Sequence, residues 1–178
     1  DPFGGRRDLA EKRIRAVGDP LIRFAEDGLR PLRACRFVAQ LGFRIDPETE
    51  QAVPLRLEVA RSVAVERVRA ELDKLLLGMA ASEGLQALLR TGLLDLWLGE
   101  LRPMVGCVQG PPHRWDVWHH SLVLLEHLPP ELGLRWAGLL HDAGKPHRRA
   151  VGADGRIRFW GHELVSLEIA QTIFQRLK

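Results

Sequence analysis

Cysteine is scarce. The 178 residues contain two, Cys35 and Cys107, far apart and outside any Cys-x-x-Cys spacing. That spacing argues against a disulfide framework or a zinc knuckle and suits a reducing compartment. No stretch approaches the roughly 18 consecutive apolar residues of a membrane span. The opening DPFGGRRDLAEKR is polar and lacks the apolar core of a signal peptide. The expected location is therefore cytoplasmic, with no membrane partner. Charge of one sign is scarce too: 26 Lys+Arg against 23 Asp+Glu leave a formal net charge of +3. So weak a bias permits a nucleic-acid partner without requiring one, because local clustering counts for more. Repeats and low-complexity tracts are missing, and so is an initiator Met. The last five residues, FQRLK, stop inside an amphipathic helical pattern. A piece of a longer protein is the expectation.

What is present is a core. An apolar fraction of 46% over this length suits one or two small packed domains. Apolar residues recur at helical spacing over most of the chain. The pattern predicts helices over 26–41, closed by Gly42, and over 47–60 with Pro54 as a break. Further helices are expected over 65–77 with Gly78 as C-terminal cap, over 82–90 capped by Ser82, and across the apolar 93–101 as a helix or packed turn. The Gly- and Pro-rich GCVQGPPHR at 106–114 is the best boundary. Beyond it, helices are predicted over 119–128, 132–143 and 162–177, with a hairpin turn at Asp154-Gly155. The fold class is all-α, with at most a small hairpin.

Two motifs carry chemistry. The first is EDGLRPLRACR, Glu26 to Arg36. Residues three apart share a helix face. Asp27 offers acceptors and Arg30 a planar fork of donors, together an edge able to pair with a nucleobase. Arg33 and Arg36 continue the stripe with positive charge, which suits a triphosphate or an RNA backbone. On spacing alone, a solvated face of i, i+3 ion pairs is the commoner meaning of such a pattern. Pro31 crowds the first turn of any helix capped by Asp27, so a later start or a distorted turn is expected.

EDGLRPLRACRF, followed by VAQLGFRIDPETEQA, resembles the neck of the class II tRNA nucleotidyltransferase (CCA-adding) and bacterial poly(A) polymerase family. DPFGGRRDL with Arg15 resembles the segment joining that family's catalytic head to its neck, and VERVRAEL at 65–72 resembles a later neck helix. The resemblance implies that Asp27 and Arg30 read the base of incoming CTP or ATP. It implies that Arg33 and Arg36 help hold the nucleotide and that the tRNA 3′ end is a partner. Where the family often has Pro after the Asp, this chain has Gly28. Nucleotidyl transfer also needs metal-bound carboxylates, Mg2+ ligands that the family supplies as D-x-D after a Gly-Ser turn. These 178 residues contain neither. Residues 1–25 are then the linker from a missing head, 26–105 the helical neck and body, and 106–178 a further domain.

The second motif is His141-Asp142-Ala143-Gly144-Lys145, with His120 one helix earlier and His162 after the hairpin. Imidazole and carboxylate suit a hydrolytic metal ion, and Lys145 suits a phosphate. A lone His-Asp pair says little; the order H…HDxGK…GH resembles the HD phosphohydrolase superfamily. That resemblance makes His120, His141 and Asp142 ligands of Mg2+, Mn2+, Ni2+ or a similar ion. His162 becomes a second-metal ligand or a phosphate contact, and His119 a bystander. The superfamily's final Asp has no counterpart, since Glu163 and Glu168 are the only later acids. Either the chain stops short of it or the site lacks it. His113, His127 and His147 read as surface or packing residues. The five tryptophans read as core rather than base-stacking platforms, with Trp118 and Trp160 flanking the site.

The resulting expectation is part of a tRNA nucleotidyltransferase (CCA-, A- or CC-adding) with an appended HD phosphohydrolase. The alternatives are mainly a phosphohydrolase acting on 2′,3′-cyclic nucleotides or phosphomonoesters, or a tRNA-binding module without activity.

Overall fold

The computed structural model describes all residues, Asp1 to Lys178. It is helical, with two two-stranded sheets, and it divides into two units, Asp1–Trp97 and Leu98–Lys178.

The first unit begins with α1 (Gly5–Ala10), β1 (Arg13–Ile14), α2 (Pro20–Glu26), α3 (Arg30–Leu41) and β2 (Arg44–Ile45). It continues with α4 (Pro47–Ala52), a 3-10 turn at Pro54–Arg56, α5 (Leu57–Arg61), α6 (Val65–Leu76), α7 (Ala81–Thr91) and α8 (Leu93–Trp97). Residues 1–25, expected as a linker, fold into this unit: β1 pairs in parallel with β2, Arg13 opposite Arg44 and Ile14 opposite Ile45. The reason is local. Arg44 N–H donates to the Lys12 carbonyl and Asp46 N–H to that of Ile14, tying the segment to the far side of α3.

The helix expected from Glu26 is two. Glu26 ends α2, Asp27 is extended at φ −150°, and α3 starts at Arg30 with Pro31 in its first turn. Proline is tolerated there because its missing N–H has no intrahelical partner. Helix α3 buries Leu32, Cys35, Val38 and Ala39 against α6 and α7. Gly42, left-handed at φ +64°, closes it by donating to the Val38 carbonyl. Two other glycines act by closeness. At Gly28 a Cβ would run into the Val59 carbonyl, so the family's proline has no room here. Gly78 does not cap α6 as expected: Leu77 does, and a Cβ on Gly78 would lie 2.5 Å from the Ala39 carbonyl of α3. Ser82 is likewise inside α7 and buried; Ala80 is the N-cap.

The second unit opens with a 3-10 turn, Gly99–Met104, and continues with α9 (Val117–His127), α10 (Leu132–Leu140) and α11 (Lys145–Arg148). The hairpin β3 (Ala150–Val151) and β4 (Ile157–Arg158) and the long α12 (His162–Arg176) complete it. The stretch 106–114, expected as the boundary, lies inside this unit. Leu101 and Met104 just before it are fully buried, the 3-10 turn packs on α9, and Val117 N–H donates to the Cys107 carbonyl. The hairpin forms as expected, Ala150 opposite Arg158, with Gly155 at φ +74° in its turn. Trp118, Leu125, Leu139 and Ile173 make the core. Trp97, Trp118 and Trp136 are buried, but Trp115 and Trp160 are exposed, against the expectation for both.

Candidate functional site: a cationic cavity and a histidine–aspartate centre

In the first unit the motif residues divide. Arg30 Nη1 donates to the Arg23 carbonyl and to Glu26, which also pairs with Arg23. Glu26, at the end of α2, thus steadies the guanidinium at the start of α3. Asp27 Oδ1 accepts from Leu29 N–H at 3.0 Å, and its Oδ2 lies 3.6 Å from Arg67 of α6. Arg30 and the exposed Arg33 line a cavity of about 210 Å³ with Arg15, Arg23, Phe24 and Phe37. A lining with four arginines and two phenylalanines suits an anion that carries a planar group. Neither Asp27 nor Arg36 lines that cavity. Arg36 Nε donates to Glu71 at 2.9 Å, its Nη1 to Gln40 at 2.6 Å, and its guanidinium stacks on Phe37. Nearly buried, it braces α3 against α6. Glu71, invisible as a partner in the sequence, lies in the VERVRAEL segment.

In the second unit the predicted residues converge. Asp116 caps α9: its Oδ1 accepts from His119 N–H at 2.7 Å and its Oδ2 from Gly106 N–H at 2.6 Å. Burial pushes its carboxyl up, and those two backbone donors more than reverse this, leaving it below the usual range. The cap starts the helix so that His120 faces inward, while His119 turns to Asp116 itself. His141 ends α10, and Gly161, left-handed at φ +74°, starts α12 with His162. His120 Nε2 and His141 Nε2 lie 3.6 Å and 3.1 Å from Asp142 Oδ2, and His162 Nε2 lies 3.3 Å from Asp142 Oδ1.

The tautomers follow from the outer contacts. His141 Nδ1 and His162 Nδ1 each lie 2.8 Å from a backbone carbonyl, of Gly138 and Phe159. A carbonyl only accepts, so both Nδ1 atoms donate. In the neutral rings the Nε2 lone pairs then face Asp142, the arrangement metal-binding histidines use. Asp142 is buried at 3% exposure, yet its Oδ2 receives no aligned hydrogen bond. Lys145 Nζ approaches it to 2.7 Å. Burial raises the Asp142 carboxyl, but His141 and Lys145 more than offset that, and it stays ionised well below the usual range. Burial and the neighbouring cations lower His120, against the pull of Asp142. Burial likewise lowers His141, but Asp142 outweighs it and the net shift is upward.

Ligand atoms of His120, His141 and Asp142 all lie within 4.8 Å of one another. An ionised, buried carboxylate oxygen with no aligned donor, beside imidazole nitrogens with free lone pairs, fits a divalent ion. Two residues missed by sequence reasoning, Gln109 and Ser166, shape this centre, as does His113, read as a surface or packing residue. Buried Gln109 accepts from Lys145 at 2.7 Å, Ser166 accepts from Gly144 N–H at 2.9 Å, and the His113 ring meets His120 edge-on. Only spatial proximity marks them.

These features define a chain in which a helical unit precedes an HD-type domain. Residues 42–104 match the family described as the probable RNA and SrmB-binding site of polymerase A, and 113–178 match the HD domain. An A-adding tRNA nucleotidyltransferase of Deinococcus radiodurans is 43% identical over all of this chain and 43% of its own length. A CC-adding tRNA nucleotidyltransferase of Thermus thermophilus is 41% identical over 82% of this chain and 36% of its own. The Bacillus stearothermophilus CCA-adding enzyme in complex with CTP superposes with a TM-score of 0.63 at 30% identity, over 99% of this chain and 40% of that one. The chain belongs to the class II tRNA nucleotidyltransferase and poly(A) polymerase family, in its neck, body and HD region. It spans under half the length of these relatives.

Proposed function

We propose that the chain is the nucleotide-reading and tRNA-binding part of a tRNA nucleotidyltransferase that adds C, A or both, and that its second unit is a metal-dependent phosphohydrolase centre. The observation that carries the first half is the cavity that Arg30 and Arg33 line together with Arg15 and Arg23. CTP or ATP supplies the matching chemistry: a triphosphate for the arginines and a base edge for Asp27 and Arg30. Arg36, tied to Glu71, serves the same stripe from behind by fixing α3. The relatives that add A and CC, and the related CCA-adding enzyme that binds CTP, support this reading.

In the second unit a bound Mg2+, Mn2+ or Ni2+ would polarise a phosphoryl oxygen and make hydroxide available near neutral pH. His120, His141 and Asp142 would hold it, and His162 stands on the carboxylate's other oxygen. Lys145, fixed by Gln109, neutralises phosphate charge. Two measurements test the two halves. The longer protein implied by the relatives' length should extend tRNA transcripts ending either before or after the CC of the terminal CCA, given CTP and ATP; no addition to either transcript would overturn the first half. The 178-residue chain with Mn2+ or Ni2+ should hydrolyse 2′,3′-cyclic nucleotides or phosphomonoesters, and His141→Ala should abolish it. Absence of hydrolysis with metal bound would overturn the second.

A further inference from the structure

Trp160 is 81% exposed, two residues before His162. The exposed indole offers a flat face on which a planar group can stack. It is also held in place. The Arg158 guanidinium sits 5.5 Å from the ring centroid, and Asp154 accepts from both Nη atoms of Arg158, at 2.8 Å and 2.7 Å. A bidentate ion pair on the hairpin thus fixes a cation against the indole. Trp160, Arg158, Lys145, Phe159 and His162 line one cavity of about 380 Å³. Lys145 and His162 are the two of these that also touch Asp142. The cavity therefore runs from the phosphate-directed centre to an open aromatic ring.

We propose that Trp160 is the platform on which the base of a nucleoside phosphate stacks while its phosphate lies at Lys145 and the histidine–aspartate centre. The inference rests on the hydrolytic reading of that centre and narrows its substrate to nucleoside phosphoesters, such as RNA 3′ ends, over base-free phosphomonoesters. Cationic side chains beside an exposed indole favour this ligand: the charges suit phosphate and the ring suits the face of any base.

The test is binding, read at the residue. In the metal-free chain, the Trp160 indole N–H resonance is assigned by its loss in Trp160→Phe. Adenosine 3′-monophosphate should shift it saturably and glycerol 2-phosphate should not. Trp160→Ala should weaken adenosine 3′-monophosphate about tenfold or more, read at the His162 ring signals, with glycerol 2-phosphate affinity unchanged and Trp160→Phe close to wild type. The inference is overturned if nucleotide leaves the indole signal unmoved, or if Trp160→Ala binds both ligands as wild type does. Equal loss of both ligands, or an indole shift that follows protein concentration instead of nucleotide, overturns it as well. Because no turnover is read, nucleotide binding through Trp160 without hydrolysis would refute only the hydrolytic reading. Hydrolysis with an indifferent Trp160 would refute only the platform.

Discussion

His162 Nε2 lies 3.3 Å from Asp142 Oδ1, while His120 and His141 approach the other oxygen, Oδ2. One carboxylate is thus shared between two sides of the centre. The three residues grouped around Oδ2 could hold a metal ion, and His162 stands at the carboxylate's other oxygen. Removing a direct ligand should then cost more than removing His162. By calorimetric titration with Mn2+, Asp142→Asn and His141→Ala should bind no metal measurably, and His162→Ala should lose about 10- to 100-fold in affinity. Equal abolition by His162→Ala would make it a ligand of the same ion.

Gly144 sits where the HDAGK turn meets α12. A Cβ there would lie 2.7 Å from Ser166 N and inside van der Waals contact with the His162 carbonyl, both backbone atoms. Gly144→Ala should therefore push α12 away, costing about 1–3 kcal/mol in thermal unfolding and weakening metal binding with it. Unchanged stability and affinity would show that the helix yields freely.

Arg36 and Glu71 are about 10% exposed at the side chain, Arg36 at 11% and Glu71 at 10%. Arg36→Ala leaves the buried Glu71 carboxylate with only Lys74, 3.6 Å away, so it should destabilise the first unit by about 1–3 kcal/mol. Arg33→Ala, at an exposed position, should change stability by less than about 0.5 kcal/mol. Chemical denaturation of both variants separates the bracing residue from one left available for a ligand.

Glu100 and Arg176 predict a pH dependence. The Arg176 hydrogen bonds hold the Glu100 carboxyl below its ordinary value of 4.5, outweighing its partial burial. A depressed carboxylate stabilises the fold above its unfolded pKa and loses that contribution as pH falls through the folded value. The melting temperature of wild type should accordingly fall more steeply than that of Glu100→Gln as pH drops below about 4.5. Parallel curves would remove this pair as the cause.

Most helices were legible because burial imposes a 3.6-residue period, and the second motif named the side chains that gather around Asp142. Other features were not legible, for physical reasons. The chain breaks at Asp27 because that side chain satisfies Leu29 N–H locally, a choice no periodicity records. Gly28 and Gly78 answer to backbones that arrive from distant segments. Arg36 resembles its neighbours in sequence and differs only in meeting Glu71, 35 residues away. His120, His141, Asp142 and His162 were found from their order, but Gln109 and Ser166 carry no motif. Trp160 looked like core because an apolar ring gives no sign of its exposure.

The most direct test of the nucleotide-reading account is Arg30→Ala in the longer protein, assayed with CTP and ATP on tRNA lacking its terminal nucleotides. Arg30 is steadied by Glu26 and lines the cationic cavity. The account predicts slower addition and a loss of base discrimination of about tenfold or more. An unchanged rate with unchanged base preference would contradict it.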